Sequence, residues 1–209
     1  MLSFRNIISE IRFHPVQSIL CLYYKVILQL VEAYYTFYCH FKMRLHGIKF
    51  GRGRFCGNTL FYIEPGAKVS IGDGHAFNSI NKANFRGVNH RCIIEVDKNA
   101  QLSIGNNCGF TGVSIVCAKK IVIGDNLLCG TNVMIGDRND HEDKYPQFTP
   151  QPIIIGDNVW IGMNTVVMKG VNIGNNVIIG ANSIVTRDIP DNMIAVGNPC
   201  KTIKENTSL

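Results

Sequence analysis

An aliphatic residue recurs every six positions in the second half of the chain, and this period sharply limits the folds that the chain can adopt. The repeat runs without a slip through Ile155, Ile161, Val167, Ile173, Ile179 and Val185. An amphipathic helix needs apolar residues spaced by three and four, and a half-buried strand needs strict alternation. A period of six fits neither alone. It fits short strands joined by tight turns, where Gly or Asn accepts unusual backbone dihedral angles.

Three such strands per turn close a triangular coil, and stacked coils pair at the ordinary strand spacing of about 4.8 Å. No coil is stable alone, because each one buries its aliphatic residues against its neighbours. Copies of the pattern also occur upstream, at Ile71-Gly72, Ile104-Gly105, Ile123-Gly124 and Ile135-Gly136. The sequence therefore predicts an all-β main domain, a parallel β-helix of hexapeptide repeats over residues 47–200.

The N-terminal part has a different pattern. Residues 16–45 carry large apolar side chains on nearly every helical turn, with Pro15 placed to open a helix and Gly47 to close it. We predict an N-terminal α-helical segment over residues 1–46, and a C-terminal tail over residues 201–209.

The net charge of +6 lies entirely in this N-terminal part, because residues 1–54 hold eight Lys/Arg and two Asp/Glu, whereas residues 55–209 hold thirteen of each. Such a stretch indicates contact with an anionic membrane surface, a nucleic-acid footprint, or solvated charge beside a packing helix. Lys25 and Glu32 interrupt the apolar run, so no uncharged stretch approaches the roughly 20 residues of a membrane span. We expect peripheral membrane contact through residues 1–45 at most, and no nucleic-acid partner.

Eight cysteines are scattered without a CxxC pair, and several occupy positions that suit a small apolar residue. This usage is typical of reduced, buried thiols in a cytosolic protein. No signal-peptide cleavage pattern follows the apolar stretch. The sequence predicts a cytoplasmic protein, or one held peripherally at the inner face of the membrane.

The period breaks between Asp137 and Pro152, in a stretch that contains three prolines and His141. A loop that leaves a regular solenoid usually displays function. A loop histidine is ordinarily just solvated, so the position of His141 within this break is what makes it a candidate.

Residues 153–204, from IIIGDNVWIG to AVGNPCKTIK, resemble the C-terminal signature of the galactoside and maltose acetyltransferases, within the hexapeptide-repeat acyltransferases. This resemblance implies that the β-helix is left-handed. It also implies a homotrimer with active sites between subunits, and acetyl-CoA as the co-substrate.

The resemblance further implies that His141 is the general base. A hydroxyl attacks a thioester readily only if a base takes its proton, and neutral imidazole is available near pH 7. Asp137, Asp140 or Glu142 could orient the ring, and we favour Asp137 as the second catalytic residue.

The same resemblance assigns a set of residues to the cofactor. Trp160, Met163 and Ala181 match positions along the pantetheine arm, although Met163 departs from the small polar residue often found there. Four further residues match positions at the nucleotide end of CoA, where three cations suit its phosphates: Thr186, Arg187, Lys201 and Lys204.

The acceptor site is less defined. Gly112 stands where the galactoside branch has an acceptor-binding asparagine, so polar residues upstream of the break are the candidates: Thr111, Ser114, Asn84 and Arg86. No metal is expected, because His75, His90 and His141 are irregularly spaced for a zinc site.

These observations predict an O-acetyltransferase that acts on a sugar or a lipid-linked glycan precursor of the capsule or cell envelope. An N-acetyltransferase acting on an amino sugar and a non-catalytic β-helix scaffold remain the alternatives.

Overall fold

The computed structural model describes residues 15–81, 87–139 and 149–207. One helix, α1 (Pro15–Leu45), precedes a coil of short strands that form three parallel sheets. The first sheet contains β1 (Lys49–Phe50), β4 (Lys68–Ile71), β7 (Gln101–Ile104), β10 (Lys120–Ile123), β13 (Ile153–Ile155) and β16 (Asn172–Ile173).

The second sheet contains β2 (Gly53–Cys56), β5 (His75–Asn78), β8 (Gly109–Thr111), β11 (Leu128–Thr131), β14 (Trp160–Ile161), β17 (Ile178–Ile179) and β19 (Met193–Val196), with β20 (Lys201–Glu205) added antiparallel at its end. The third sheet contains β3 (Leu60–Ile63), β6 (Ile93–Val96), β9 (Ser114–Cys117), β12 (Met134–Gly136), β15 (Val166–Val167) and β18 (Ile184–Val185). Three parallel sheets in register are typical of a left-handed β-helix, so the predicted fold class is confirmed.

The six-residue period corresponds to the core of the coil. All six aliphatic residues of the unbroken run are at most 2% exposed. In the earlier coils the corresponding column of the second sheet is aromatic: Phe55, Phe77 and Phe110 align in register and stack, with ring centroids 5.0 and 4.7 Å apart. The core is thus continuous from the first coil to the last, although its side chains change from aromatic to aliphatic.

Asparagine forms one corner of the coil. Asn126, Asn158, Asn176 and Asn192 adopt φ values between 56° and 60°, the left-handed region that few residues other than Gly and Asn tolerate. Their side-chain amides form a ladder from coil to coil, with donor–acceptor distances of 2.9, 3.1 and 2.8 Å. The ladder explains why Asn recurs at this corner.

Helix α1 packs on the first coil through one face of its C-terminal half. Cys39 and Met43 are fully buried there, and the Phe55 amide donates a hydrogen bond of 2.9 Å to Thr36 Oγ1. Gly47 follows the helix with φ of +67°, a conformation that glycine adopts without steric cost.

A histidine pair joins α1 to β5. His75 Nδ1 lies 2.9 Å from Gly72 O, so it donates there and leaves Nε2 as an acceptor in the neutral ring. His40 Nε2 lies 3.3 Å from that acceptor and can donate to it. Burial lowers the pKa of both rings, and the neighbouring His75 lowers that of His40 further. This contact between α1 and β5 therefore requires both imidazole rings to be neutral.

The helix from Val16 to Leu45 is long and apolar enough to cross a membrane, by length and composition alone. The sequence prediction of at most peripheral membrane contact rested on the absence of a long uncharged run, and it did not include a helix that could span a membrane despite its charged residues. A single helix of this kind near an N-terminus is weak evidence, since signal sequences and core helices of soluble proteins share its length and composition.

The cysteine expectation agrees with the structure. All eight thiols are free, and seven are buried, the exception being Cys21 on α1.

Candidate active site

A groove of about 500 Å³ runs along the surface of the second sheet, and we call it the lateral groove. It brings together four of the residues predicted from the sequence: Thr111, Trp160, Met163 and Ala181. The remaining lining residues come from β11, β14, β17 and the turns after them: Leu128, Cys129, Gly130, Thr131, Gly162, Ile178, Ile179 and Gly180.

Glycine is required beneath the groove because neighbouring coils approach closely there. A Cβ built on Gly162 would lie 2.5 Å from the Ala181 nitrogen, and one on Gly130 would lie 2.6 Å from the Met163 nitrogen. These contacts are with backbone atoms, which cannot move aside like the end of a flexible side chain. The Gly of the repeat therefore gives the groove its flat floor.

Trp160 stands on this floor with 54% of its surface exposed. It pairs in register with Leu128 on the preceding coil and Ile178 on the following coil, so the three side chains form an outward apolar column. A half-exposed tryptophan presents an apolar face and an N–H donor beside the groove.

Two backbone amides beside the groove are available to a ligand. Within the described residues, the amides of Met163 and Ala181 donate no hydrogen bond, whereas the Asn182 amide between the same coils bonds to Met163 O at 2.8 Å. Unpaired N–H groups at a surface groove can donate to a carbonyl oxygen of a bound molecule. The backbone amide of Met163 can thus bind a ligand even if the Met163 side chain does not contact it.

The groove lacks a reactive thiol among its described lining residues. Burial raises the pKa of Cys129 well above its ordinary value, so this thiol stays protonated and unreactive.

The predicted CoA-phosphate residues lie at the C-terminal end of the coil, outside the lining of the groove. Lys201 and Lys204 are exposed on β20, which extends the same sheet that carries the groove. Thr186 and Arg187 are exposed directly after β18, in the last turn of the third sheet.

Asp137 is fully buried at the start of the period break. Its carboxylate accepts backbone hydrogen bonds from Ala118, Lys119 and Lys120, at 2.6, 2.9 and 2.7 Å. These bonds give it a structural task, holding the turn between β9 and β10. His141 lies outside the described residues, so the orienting role proposed for Asp137 stays a prediction.

The structure describes only two of the four acceptor candidates. Thr111 is buried on the edge of the lateral groove, and Ser114 is half-buried on β9. Asn84 and Arg86 lie outside the described residues. None of these positions establishes an acceptor site.

Sequence reasoning missed a charged cluster next to the break. Arg138 forms ion pairs with Glu95, at 2.7 Å, and with Asp97, and all three side chains are mostly buried. Arg138, Glu95 and Asn139 are among the residues that line another cavity, of about 370 Å³. Arg138 lies far from both acids in the sequence, so no local pattern indicated the cluster. The presence of an arginine within the period break was the one sequence signal.

No group of three His, Cys, Asp or Glu side chains within residues 15–81, 87–139 and 149–207 could hold a metal ion. His75, one of the three histidines considered for zinc, is instead paired with His40. The absence of a metal stays a prediction.

Residues 152–187 match the family model described as bacterial transferase hexapeptide (six repeats). The galactoside O-acetyltransferase of Lactococcus lactis is 33% identical over 154 residues, covering 68% of this chain and 73% of that protein. The galactoside O-acetyltransferase of Escherichia coli is 46% identical over 97 residues, covering 44% of this chain and 48% of that protein. The matches to the first three curated relatives span 47–59% of those proteins' lengths.

Among solved structures, a point mutant of AntD, an N-acyltransferase from Bacillus cereus in complex with dTDP and coenzyme A, superimposes with a TM-score of 0.58. The match has 18% identity and covers 77% of this chain and 84% of that one, so the likeness concerns the fold. Together with the sequence match across most of the Lactococcus lactis protein, the repeat and its three sheets show that the chain belongs to the hexapeptide-repeat acetyltransferase family.

Proposed function

We propose that the protein transfers an acetyl group from acetyl-CoA to a hydroxyl of a sugar or glycan precursor. The lateral groove is the observation that carries this proposal, because Trp160, Met163 and Ala181 meet there although up to 21 positions separate them in sequence. The galactoside O-acetyltransferases among the relatives support a sugar as the acceptor.

In the proposed reaction, His141 takes the proton of the acceptor hydroxyl as its oxygen attacks the thioester carbonyl. The tetrahedral intermediate carries a negative oxygen, which the Met163 and Ala181 amides are available to stabilise. Collapse breaks the carbon–sulfur bond, and the proton held by His141 passes to the leaving thiolate. Atoms and charge balance without any further reactant.

The pantetheine arm occupies the lateral groove in this proposal, against the apolar face of Trp160. An extended arm needs a flat floor, which the glycine column supplies. The CoA phosphates lie toward Lys201, Lys204 and Arg187, exposed cations that can pair with them in several geometries.

The proposed assembly is a homotrimer whose subunits meet over the outward apolar columns. One column is Leu128, Trp160 and Ile178 on the second sheet, and Met134 begins another on the third sheet. Leu128 and Met134 are 55% and 41% exposed, and burying such surface favours association. The neighbouring subunit would also close the lateral groove.

The proposed location is the cytoplasm or the inner face of the membrane. Seven buried, unpaired thiols support a reducing compartment.

Thermal unfolding with and without acetyl-CoA is the first test. Ligand at a hundred times its dissociation constant adds about 2.7 kcal/mol to stability, which raises the midpoint clearly. No rise at millimolar ligand would contradict the proposal and favour the scaffold alternative.

The catalytic step is tested by thiol release with sugar acceptors. His141→Ala should lower the rate by several orders of magnitude and leave acetyl-CoA binding intact. The matched control is His90→Ala, since His90 is an exposed histidine outside the groove. Equal rates for the two variants would exclude His141 as the base.

The type of acceptor needs a separate comparison. Hydroxyl and amine versions of the same sugar, offered at equal concentration, should give ester as the main product. A dominant amide product would replace this proposal by the N-acetyltransferase alternative.

A further inference from the structure

The outer face of α1 is a continuous stripe of large apolar side chains. The positions are spaced by four and three residues, which places them on one side of a helix. At a rise of 1.5 Å per residue the stripe is about 44 Å long. The exposed residues of this apolar stripe are Val16, Leu20, Tyr23, Ile27, Leu30, Tyr34, Phe37, Phe41 and Leu45.

The apolar stripe faces away from the coil because the opposite face of the helix packs on the coil. Cys39 and Met43 are buried against the first coil, and Glu32 pairs with Arg54 at 3.8 Å. The stripe is therefore held outward, and it continues over the docked half of the helix, where Phe37 is 76% exposed. An apolar face this long is larger than the scattered exposed side chains of an ordinary surface.

Positive charge accompanies the stripe. Arg44 and Lys49 are exposed where the helix meets the coil, and the net charge of the whole chain lies within residues 1–54. The coil that follows contributes no net charge. Apolar surface and net positive charge thus occur together in this region.

We propose that α1 lies in the headgroup region of an anionic phospholipid bilayer, with the apolar stripe inserted and the cations on lipid phosphates. Lipid headgroups complement the charge, and tyrosines such as Tyr23 and Tyr34 suit the boundary between water and hydrocarbon. Each cation near such a surface adds to the attraction.

A second copy of the chain fits the stripe less well. Pairing two stripes in parallel would bring the cations of both copies together, and like charges oppose such an interface. Within residues 16–31 the flanks of the stripe also lack the alternating Glu and Lys that direct coiled-coil pairing; Gln17 lies on one flank, and Ile19 and Val26 lie on the other.

An orientation across the bilayer also fits less well. A crossing helix would leave Tyr34, Phe37 and Phe41 in water, whereas a helix along the interface inserts the entire stripe. The proposal needs no substrate, so its test is independent of the proposed acetyl transfer.

The test is co-sedimentation of the full chain with phosphatidylcholine vesicles, with and without phosphatidylglycerol. Wild type should bind the anionic vesicles, and high salt or pure phosphatidylcholine should weaken this binding. The stripe variant, Leu20→Gln/Ile27→Gln/Leu30→Gln, should bind at least tenfold more weakly without any change in net charge. The control variant, Gln17→Ala/Gln29→Ala, changes exposed positions of the same stretch of helix outside the stripe and should bind like wild type.

Circular dichroism and light scattering of the free variants complete the design. Because the substituted residues are exposed, the stripe variant should retain the secondary structure and mass of wild type. No binding by wild type, or equal weakening in both variants, would overturn the proposal. A stripe variant of lower mass, with wild type failing to sediment with vesicles, would instead identify a second copy as the occupant.

Discussion

Replacing Asp137 by asparagine should destabilise the coil at the start of the period break. The carboxylate is fully buried and accepts three backbone hydrogen bonds, one at Oδ1 from Ala118 and two at Oδ2 from Lys119 and Lys120. Cys117 Sγ is a fourth, weaker donor at 3.8 Å. Burial, and then the charge of Asp137, raise the pKa of Cys117 to about 12, so the thiol stays protonated as a donor.

An asparagine can satisfy only part of this set. If its oxygen faces Lys119 and Lys120, its amino group faces the Ala118 N–H, and two donors meet. One charge-assisted hydrogen bond is lost, at about 1.5–3 kcal/mol, and the other two lose the charge. Relief from burying a charge offsets part of this loss. We expect a net destabilisation of about 2–4 kcal/mol.

The matched control is Asp157→Asn in the corner of the coil. Asp157 accepts one backbone hydrogen bond, from Asp125 at 2.7 Å, and Asn175 accepts the equivalent bond on the next coil. An asparagine can serve there, so the change should stay within about 0.5 kcal/mol. Urea unfolding followed by circular dichroism compares the two variants. Equal losses, or an unchanged Asp137→Asn midpoint, would refute the reasoning.

Three further predictions concern the groove and the helix joint. Gly162→Ala should cost about 1–3 kcal/mol in urea unfolding, because its Cβ would lie 2.5 Å from the Ala181 nitrogen. Trp160→Ala should weaken acetyl-CoA binding about tenfold in calorimetry, about 1.4 kcal/mol, because the apolar face against the pantetheine arm is lost. Because the pKa values of His40 and His75 are lowered in the fold, the unfolded chain binds more protons below about pH 6.5. Stability should therefore be constant above about pH 7.5 and fall as the pH drops below 6.5, and a urea midpoint unchanged between pH 8 and 5.5 would contradict this.

The fold could be predicted because its main determinant is local and periodic. One buried aliphatic per six residues, with Gly and Asn at the turns, specifies each strand and corner independently of the others. The first coils were harder to predict, since Phe55, Phe77 and Phe110 replace the aliphatic column and no period marks them. The bounds of helix α1 were predicted from its apolar pattern and its flanking Pro15 and Gly47. The face that packs on the coil was not, because it depends on contacts with residues outside the helix.

The candidate site was predictable only in part. Trp160, Met163 and Ala181 were assigned from the resemblance to the galactoside and maltose acetyltransferases, and the stacking of the coils brings them to one groove. Asp137 was favoured as the residue that orients His141, and that role stays a prediction. Its burial under the Lys119 turn depends on a contact between coils that the sequence pattern does not encode.

The two proposals together explain why the acceptor site leaves so little trace in the sequence. A soluble sugar must be captured by side chains, and the position that binds it in the galactoside branch is Gly112 here. If α1 holds the enzyme on a bilayer, an acceptor anchored in the same bilayer is confined near the lateral groove, and its effective concentration rises without any added contact. A weak acceptor site then suffices, because the membrane supplies what binding residues would otherwise provide. The apolar stripe and the missing asparagine would in that case be two parts of one adaptation to a lipid-linked substrate.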